Sequence, residues 1–358
     1  MVAQPSKAGR FVFLDYLRAL AAWLVLWDHL GTIMPGWANR TFAPAAWVRA
    51  NIADPLGVIQ NFGWFGVALF FLISGFIITD RARVEGVAEF SLKRLLRIYP
   101  MLAIAVVLAA VLVTAPGVAT VRAVLLSMTL ANYVMVPQVV ILGVAWTLVI
   151  EMAFYALTAG TQWARNSPHR IALNLAVVAL VVSRRGAFGP EFSLFAVSVS
   201  YLPVLVMGQA LYWWLSARRL SARWAIAYLA AAFALFVWGL RLIQPGFLAP
   251  ANSYVISVVY ALMLFAALIH APLRENRLVR LLSDTSYALY LLHGVVAPLV
   301  LKTLMPHGPL SVAIAAAAAA SLAAAWVAHM LVERPLQGLA RRLAGGRRAR
   351  LRAAPAAT

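Results

Sequence analysis

The chain contains eleven apolar segments, and most of them are long enough to cross a lipid bilayer as a helix. About 20 apolar residues in a helix match the roughly 30 Å hydrocarbon core of a bilayer. A sequence in which 64% of 358 residues are hydrophobic and 11% are charged does not fit a soluble domain. We therefore predict an all-α fold, a polytopic transmembrane helical bundle. The segments are 11–33, 62–79, 99–115, 122–136, 146–163, 171–183, 192–215, 224–243, 252–271, 283–305 and 311–332.

One of these segments, 122–136, is predicted not to cross the membrane. It is short, begins with Arg122, contains Asn132 and is followed by Pro137, which is typical of a re-entrant or interfacial segment. The remaining ten segments place both basic ends of the chain on one side. The loops on that side hold 22 Lys and Arg residues, and the loops on the other side hold 5. This bias predicts ten transmembrane helices with both termini in the cytoplasm.

The net charge of +19 would suit a nucleic-acid binder, but most of the basic residues lie in short tracts between apolar segments. Membrane orientation explains that distribution better, so no nucleic-acid partner is predicted. The chain has no cysteine, which excludes disulfides, thiolate catalysis and cysteine metal sites. We predict no metal site of any kind.

The first apolar segment carries the ionisable side chains Asp15, Arg18, Asp28 and His29 within residues 14–30. Such side chains are costly in a membrane and usually face a protein interior, a wet cavity or an active site. Arg18 and His29 are eleven residues apart, which is within about 20° of three helical turns and about 16 Å along the axis. Asp15 precedes Arg18 by three residues and can pair with it. Alternatively, Asp15 and Arg18 lie at the headgroups and His29 is an interior histidine with satisfied hydrogen bonds.

A basic cluster, KRLLRIYP, lies just before the third apolar segment and contains Lys93, Arg94 and Arg97. Two arginines three residues apart at the entrance of a helix can bind a polyanion such as a phosphate group. The alternative is a solvated cluster that only sets the membrane orientation.

The fifth segment contains Glu151 in WTLVIEMAFY, with no basic residue within four positions along the chain. A carboxylate in this place must pair with another helix, face water or stay protonated, and the last state would suit proton transfer. It is equally compatible with a plain interhelical hydrogen bond.

The tenth segment begins SDTSYALYLLHG, where Ser283 or Asp284 is predicted to cap the helix. Tyr287, Tyr290 and His293 follow at three-residue spacing on one face of that helix. His293 is a second histidine inside an apolar segment.

Taken in order, six motifs resemble the acyltransferase 3 family of bacterial integral-membrane acyltransferases. They are LDYLRALAAWLVLWDH, FFLISGF, KRLLRIYP, WTLVIEMAFY, SYALYLLH and a terminal ERP that contains Glu333 and Pro335. The resemblance covers residues 11–335 and implies one membrane domain over that range, in the stand-alone form of the family. Residues 336–358 would be a basic, flexible cytoplasmic tail. Thr147 departs from the family, which often has serine at this position.

The resemblance implies a membrane-embedded O-acyltransferase in the bacterial cytoplasmic (inner) membrane. An acyl group, commonly acetyl, would move from cytoplasmic acyl-CoA to a hydroxyl of a glycan or other glycosylated acceptor. No permanently bound cofactor is implied, because acyl-CoA is the donor substrate.

The same resemblance suggests roles for particular residues. His29 would be the general base, since a neutral imidazole can take a proton from a hydroxyl, and Glu151 would orient or polarise a histidine. Arg18 would face the acyl-CoA channel, and the cluster Lys93, Arg94 and Arg97 would hold the phosphates of CoA. Five further residues would bind substrate or serve as structural polar groups: Asp15, Asp28, Tyr287, Tyr290 and His293.

Two other classes of protein stay open at this point. A secondary transporter of a small anionic solute would also need buried Arg, His and Glu, although it should show paired broken helices or inverted halves. A structural partner of an envelope-assembly machine has no need to align Arg18 with His29. The residues do not distinguish among acceptors, acyl chain lengths, sides of transfer, direct or acyl-enzyme transfer, or oligomeric states.

Overall fold

The computed structural model describes residues 10–58, 60–115, 117–135, 138–184, 193–243 and 251–353. All regular elements in these ranges are helical, which confirms the prediction of an all-α bundle. In chain order the α-helices are α1 Val12–Asp28, α2 Met34–Trp37, α3 Ala43–Val48, α4 Gly63–Val84, α5 Val87–Leu112, α6 Val121–Met128, α7 Trp146–Gly160, α8 Arg170–Ser183, α9 Ser193–Val199, α10 Leu202–Leu211, α11 Ala222–Ile243, α12 Ala251–His270, α13 Arg277–Leu304, α14 Leu310–Ala328 and α15 Arg334–Ala353.

Seven helical stretches in the described residues are long and apolar enough to cross a membrane, and they confirm a multi-pass membrane protein. Ten crossings remain a prediction, because the helices of the other three segments are shorter or more polar. These three are α1, α8 and the pair α9 and α10. The seven stretches are Gln60–Val84, Val87–Leu112, Gly143–Gly160, Ala222–Leu242, Asn252–His270, Arg277–Leu304 and Leu310–Ala344.

The segment predicted not to cross contains only the eight-residue helix α6, followed by a 3₁₀ turn at Ala131–Tyr133. Eight helical residues rise about 12 Å, which is less than half the hydrocarbon thickness. The side chain of Thr120 caps this helix by accepting a hydrogen bond from the backbone N–H of Ala123. Val136 and Pro137, at the end of the predicted segment, lie outside the described residues.

Close backbone contacts hold α4 at the centre of the bundle, against α1, α10 and α12. A Cβ atom on Gly75 would overlap the carbonyl oxygen of Leu205, and one on Gly208 would overlap that of Leu72. Small residues at such crossings let helices approach closely in a membrane protein. The glycines of α4 and α10 therefore determine how closely these two helices pack, and so where their polar side chains lie.

Two helices begin earlier than the apolar segments do. α5 starts at Val87, so the cluster KRLLRIYP lies within the helix and Pro100 is internal to it. α13 starts at Arg277, and its cap is Asn276, whose side chain accepts hydrogen bonds from two backbone N–H groups. The predicted caps Ser283 and Asp284 are therefore wrong, because the helix continues for about two turns beyond its apolar part.

Two π-helical turns join successive α-helices. One at His29–Ile33 joins α1 to α2, and the other at His329–Glu333 joins α14 to α15 near the end of the chain. The predicted tail is helical as far as Ala353, and α15 packs against α5.

Candidate functional site

Two chambers inside the bundle collect most of the polar residues singled out from the sequence. We call the first the basic chamber. It has about 710 Å³ of empty space, part of which is open to the surroundings, and its polar lining is Arg18, Ser74, Arg97, Thr147, Glu151, Ser286, Tyr287 and Tyr290. We call the second the histidine chamber. It has about 980 Å³ of empty space, also partly open, and its polar lining is Asp28, His29, Gln60, Tyr133, Ser198, Tyr201, Tyr254 and Tyr290.

The chambers lie at successive levels of the bundle. α1 contributes Arg18 to the basic chamber and His29, about 16 Å further along its axis, to the histidine chamber. α4 runs the opposite way, because Gly63 at its start lines the histidine chamber and Ile78 near its end lines the basic chamber. The eleven-residue spacing of Arg18 and His29 therefore spans from one chamber to the other.

The protonation pattern of the His29 ring follows from its hydrogen bond. Its Nδ1 lies 2.9 Å from the carbonyl oxygen of Val25. Because a carbonyl oxygen only accepts, Nδ1 must carry the proton, and Nε2 of the neutral ring keeps its lone pair. His29 also begins the π-helical turn of α1, a feature that is frequent at functional sites. The structure thus presents His29 with an unprotonated nitrogen beside the histidine chamber.

A second histidine lies directly against the first. The ring centroids of His29 and His293 are 4.8 Å apart, with the planes nearly perpendicular. His293 Nδ1 lies 3.0 Å from the carbonyl oxygen of Leu289, and its Nε2 is buried without a hydrogen-bond partner among the described residues. His293 is therefore a neighbour of His29 rather than a chamber-lining residue.

Asp28 is buried beside His29, with 1% of its surface exposed, and it lines the histidine chamber. Its Oδ1 has no hydrogen-bond partner among the described residues. A Cβ atom on Gly63 would overlap the Asp28 carboxylate, so only glycine at the start of α4 leaves room for it.

The basic chamber contains two guanidinium groups without a close counter-ion. Among the described residues, neither Arg18 nor Arg97 has a carboxylate oxygen within 4.0 Å. Arg97 lies near enough to Glu151 and Glu333 for electrostatic attraction, and Nη1 of Arg18 donates to the hydroxyl of Ser283 at 3.3 Å. A chamber with two such cations is suited to an anionic ligand.

Lys93 and Arg94 have a different environment from Arg97. Nζ of Lys93 is 2.8 Å from Glu85 and 2.7 Å from Glu89, and Nη2 of Arg94 is 3.3 Å from Glu85. Neither residue lines a chamber. Of the predicted CoA-binding cluster only Arg97 faces the basic chamber, because Glu89, one turn before Lys93, and Glu85, at the end of α4, compensate the other two charges.

Glu151 is placed with a tyrosine and an arginine rather than with a histidine. It accepts a hydrogen bond from Tyr155, one turn further along α7, and it is among the charges that attract Arg97. The role predicted for Glu151 in orienting a histidine does not match this arrangement, since His29 lies in the other chamber.

Asp15 pairs with Arg10 rather than with Arg18. Nε of Arg10 is 2.7 Å from Asp15, and Nη2 of Arg10 is 2.7 Å from Asp284. The hydrogen bond to Asp15 raises the pKa of the Arg10 guanidinium above its ordinary value. Ser283, which donates to Asp15 at 2.9 Å, separates that carboxylate from Arg18. This network joins the start of α1 to α13.

The two predicted tyrosines of α13 are both tied to backbone. The hydroxyl of Tyr287 donates to the carbonyl oxygen of Ile98 at 3.0 Å. The hydroxyl of Tyr290 donates to the carbonyl oxygen of Val144 at 3.2 Å and accepts from Thr147 at 3.0 Å. Both residues line the basic chamber, and Tyr290 lines the histidine chamber as well.

Sequence reasoning missed the aromatic wall of the histidine chamber. Trp64 and Trp146 stack with centroids 5.9 Å apart, and Tyr201 lies 4.6 Å from Trp64. Tyr254 completes this part of the wall by an edge contact with Trp64. The four rings come from separate segments, and a single aromatic residue in an apolar helix carries no signal of its own. The described residues contain no group of three or more His, Asp or Glu that could hold a metal ion.

Comparisons with known proteins agree with these observations. The model of the acyltransferase 3 family, described as an acyltransferase domain, matches residues 11–330. Nodulation protein 10 of Rhizobium leguminosarum bv. viciae is 30% identical over 341 aligned positions, which cover 79% of this chain and 82% of that protein. Exopolysaccharide production protein ExoZ of Rhizobium meliloti (strain 1021) is 31% identical over 325 positions, with 83% and 97% covered. No solved structure is significantly similar to the chain.

Proposed function

Because the chain belongs to the acyltransferase 3 family, we propose that this membrane acyltransferase moves an acyl group, with acetyl as the expected case, from acyl-CoA to a hydroxyl of a glycan. The observation that carries the proposal is the pair of adjoining chambers. One holds two arginines without close counter-ions, and the other holds a histidine with an unprotonated nitrogen. These are the two environments that a charged donor and a neutral hydroxyl acceptor require.

The donor occupies the basic chamber in this proposal. Arg18 and Arg97 bind phosphate oxygens of CoA through charge-assisted hydrogen bonds. Glu151, which attracts Arg97 and receives the hydrogen bond of Tyr155, acts through Arg97 by keeping its guanidinium directed into the chamber. Both termini are cytoplasmic in this proposal, so the basic chamber is reached from the side on which acyl-CoA is made.

His29 performs the proton transfer in the histidine chamber. Its Nε2 takes the proton of the acceptor hydroxyl while the hydroxyl oxygen attacks the thioester carbonyl carbon. A C–O bond forms, the C–S bond breaks, and the CoA thiolate leaves. The proton then passes from His29 to that thiolate, so the products are an O-acyl ester, the CoA thiol and a neutral histidine.

The acceptor is proposed to be a sugar unit of an extracytoplasmic polysaccharide. The name of one relative refers to exopolysaccharide production. The wall of Trp64, Trp146, Tyr201 and Tyr254 supports the same idea, because the C–H face of a sugar ring packs well on aromatic faces while its hydroxyls keep polar partners.

The test is acyl transfer by the purified protein in lipid nanodiscs. Labelled acetyl-CoA is supplied with exopolysaccharide and with methyl glycosides as acceptors, and ester formation is measured. Replacing His29 by alanine is expected to lower kcat by about 100-fold or more, since general-base catalysis contributes about that much. The matched control is His307→Ala, because His307 is exposed and lines neither chamber.

Two outcomes would contradict the proposal. The first is a wild-type rate for His29→Ala. The second is uptake of an anionic solute by the wild type without any CoA-dependent ester formation, which would favour a transporter.

A further inference from the structure

The two chambers adjoin each other and share two lining side chains. Val67 of α4 and Tyr290 of α13 line both chambers. Phe70, one turn after Val67, packs against the Tyr290 ring edge-on with centroids 5.9 Å apart. Val67 and Tyr290 are therefore the two side chains at the boundary between the chambers.

Tyr290 is held in place at its far end. Its hydroxyl donates to the carbonyl oxygen of Val144 and accepts from the hydroxyl of Thr147. Both partners belong to the start of α7 and the turn before it, so the phenol connects α13 to α7. The ring cannot swing aside without breaking both hydrogen bonds.

Val67 is equally constrained from its own side. The neighbouring Gly66 is so close to α1 that a Cβ atom there would lie 2.7 Å from the carbonyl oxygen of Ala21. The backbone of α4 therefore cannot move toward α1 at this level. A valine in a helix also has one strongly preferred rotamer, so its two methyl groups have a defined position at the boundary between the chambers.

We propose that Val67 and Tyr290 form a sieve that selects the acyl group of the donor by its width. This inference rests on the proposed function, in which arginines hold the phosphate end of acyl-CoA and His29 acts in the adjoining chamber. In this proposal the acyl group passes between these two side chains ahead of the thioester sulfur. The cysteamine end of the pantetheine arm and an unbranched acyl chain are both linear, whereas a branch next to the carbonyl adds a methyl group where the acyl group passes between Val67 and Tyr290.

The test compares acetyl-CoA with isobutyryl-CoA as donors for the same glycan acceptor, by release of the CoA thiol and ester formation. The wild type is expected to prefer acetyl-CoA. Val67→Ala removes two methyl groups from the wall and is expected to raise the ratio of isobutyryl to acetyl kcat/KM by about tenfold, as expected for one methyl group of discrimination. Within each variant the ratio cancels differences in the fraction of active protein.

Two further variants test the mechanism of selection. Tyr290→Phe keeps the ring but removes both hydrogen bonds, and it is expected to raise the same ratio by a smaller factor. Val67→Ile adds one methyl group, and it is expected to lower the ratio of isobutyryl to acetyl kcat/KM below the wild-type ratio. The matched control is Val206→Ala, since Val206 is fully buried in α10 and lines neither chamber.

The outcomes separate the sieve from the reaction itself. If the wild type transfers acetyl but every variant keeps the wild-type donor ratio, the sieve is wrong and the proposed function stands. If Val206→Ala changes the ratio as much as Val67→Ala does, general loosening of the bundle is the cause and the sieve is again wrong. If the wild type shows no CoA-dependent transfer at all, the proposed function fails, and with it the premise of the sieve.

Discussion

The two chambers differ in how the protein treats their ionisable groups. In the basic chamber, Arg18 and Arg97 have no carboxylate within 4.0 Å among the described residues. In the histidine chamber, the His29 ring is held by a hydrogen bond to a backbone carbonyl and packs against the ring of His293. Cations without close counter-ions suit the binding of anions. An imidazole whose Nδ1 is hydrogen-bonded and whose Nε2 has a lone pair suits proton transfer. In the proposed function, donor binding would therefore take place in the basic chamber and proton transfer in the histidine chamber.

A smaller comparison on α5 teaches the same lesson. Arg94 and Arg97 are three residues apart, yet Arg94 is paired with Glu85 and stacks over the ring of Phe90. Arg97 instead faces the basic chamber. The charge of Arg94 therefore holds α5 to the end of α4, whereas Arg97 is the residue that we propose binds the donor.

The largest expected effect concerns the sides of the membrane on which the chambers open. Topology reporters fused at Gly143, which lines the histidine chamber, and at Asn166 should read extracytoplasmic and cytoplasmic, respectively. The prediction follows from the short α6, which cannot cross, and from the excess of basic residues on the N-terminal side. The fusion predicted for Val136 tests the same side, although Val136 lies outside the described residues. A cytoplasmic reading at Gly143 would mean that segment 122–136 crosses the membrane after all. The histidine chamber would then lie toward the cytoplasm.

The next largest effect concerns donor binding. It distinguishes the two chambers by whether a substitution changes the donor KM or the kcat. Arg97→Ala is expected to raise the donor KM about tenfold or more, because a hydrogen bond to a charged group contributes roughly 1.5–3 kcal/mol. Any fall in kcat should be smaller than that of His29→Ala, because Arg97 lies far from the reacting carbonyl. Arg97→Lys should rescue the KM only in part, since lysine lacks the planar fork of donors. The measurement is steady-state kinetics with acetyl-CoA. An unchanged KM for both Arg97 variants would mean that Arg97 only helps to set the orientation of the protein in the membrane.

Much of this organisation could be predicted from the sequence because it depends on local periodicity. Hydropathy predicted the all-α helical bundle. The short length of segment 122–136 predicted that it does not cross the membrane, in agreement with the eight-residue α6. The eleven-residue spacing of Arg18 and His29 predicted a shared face of α1, and both residues line chambers. These are properties of one helix, so they need no knowledge of its neighbours.

The ends of helices and the partners of charges could not be predicted in the same way. The apolar parts of α5 and α13 begin later than the helices do, because their first turns are polar and lie outside the apolar core. The pairing of Arg94 with Glu85 crosses the break between α4 and α5. The space for Asp28 depends on Gly63 of another helix. Each of these is a contact between elements, which spacing along the chain does not specify.

The smallest effect on activity is expected for Arg94, and it sharpens the comparison on α5. Arg94→Ala should leave the donor KM unchanged but lower the stability by about 1–3 kcal/mol, because a charged hydrogen bond in a buried place is lost while Lys93 still compensates Glu85. The matched variant is Arg97→Ala, which should raise the KM and should lower the stability less than Arg94→Ala does, because Arg97 forms no ion pair within 4.0 Å among the described residues. The measurement is the apparent thermal midpoint in detergent beside the KM for acetyl-CoA. If Arg94→Ala raises the KM as much as Arg97→Ala does, both arginines bind the donor, and the division of labour on α5 is wrong.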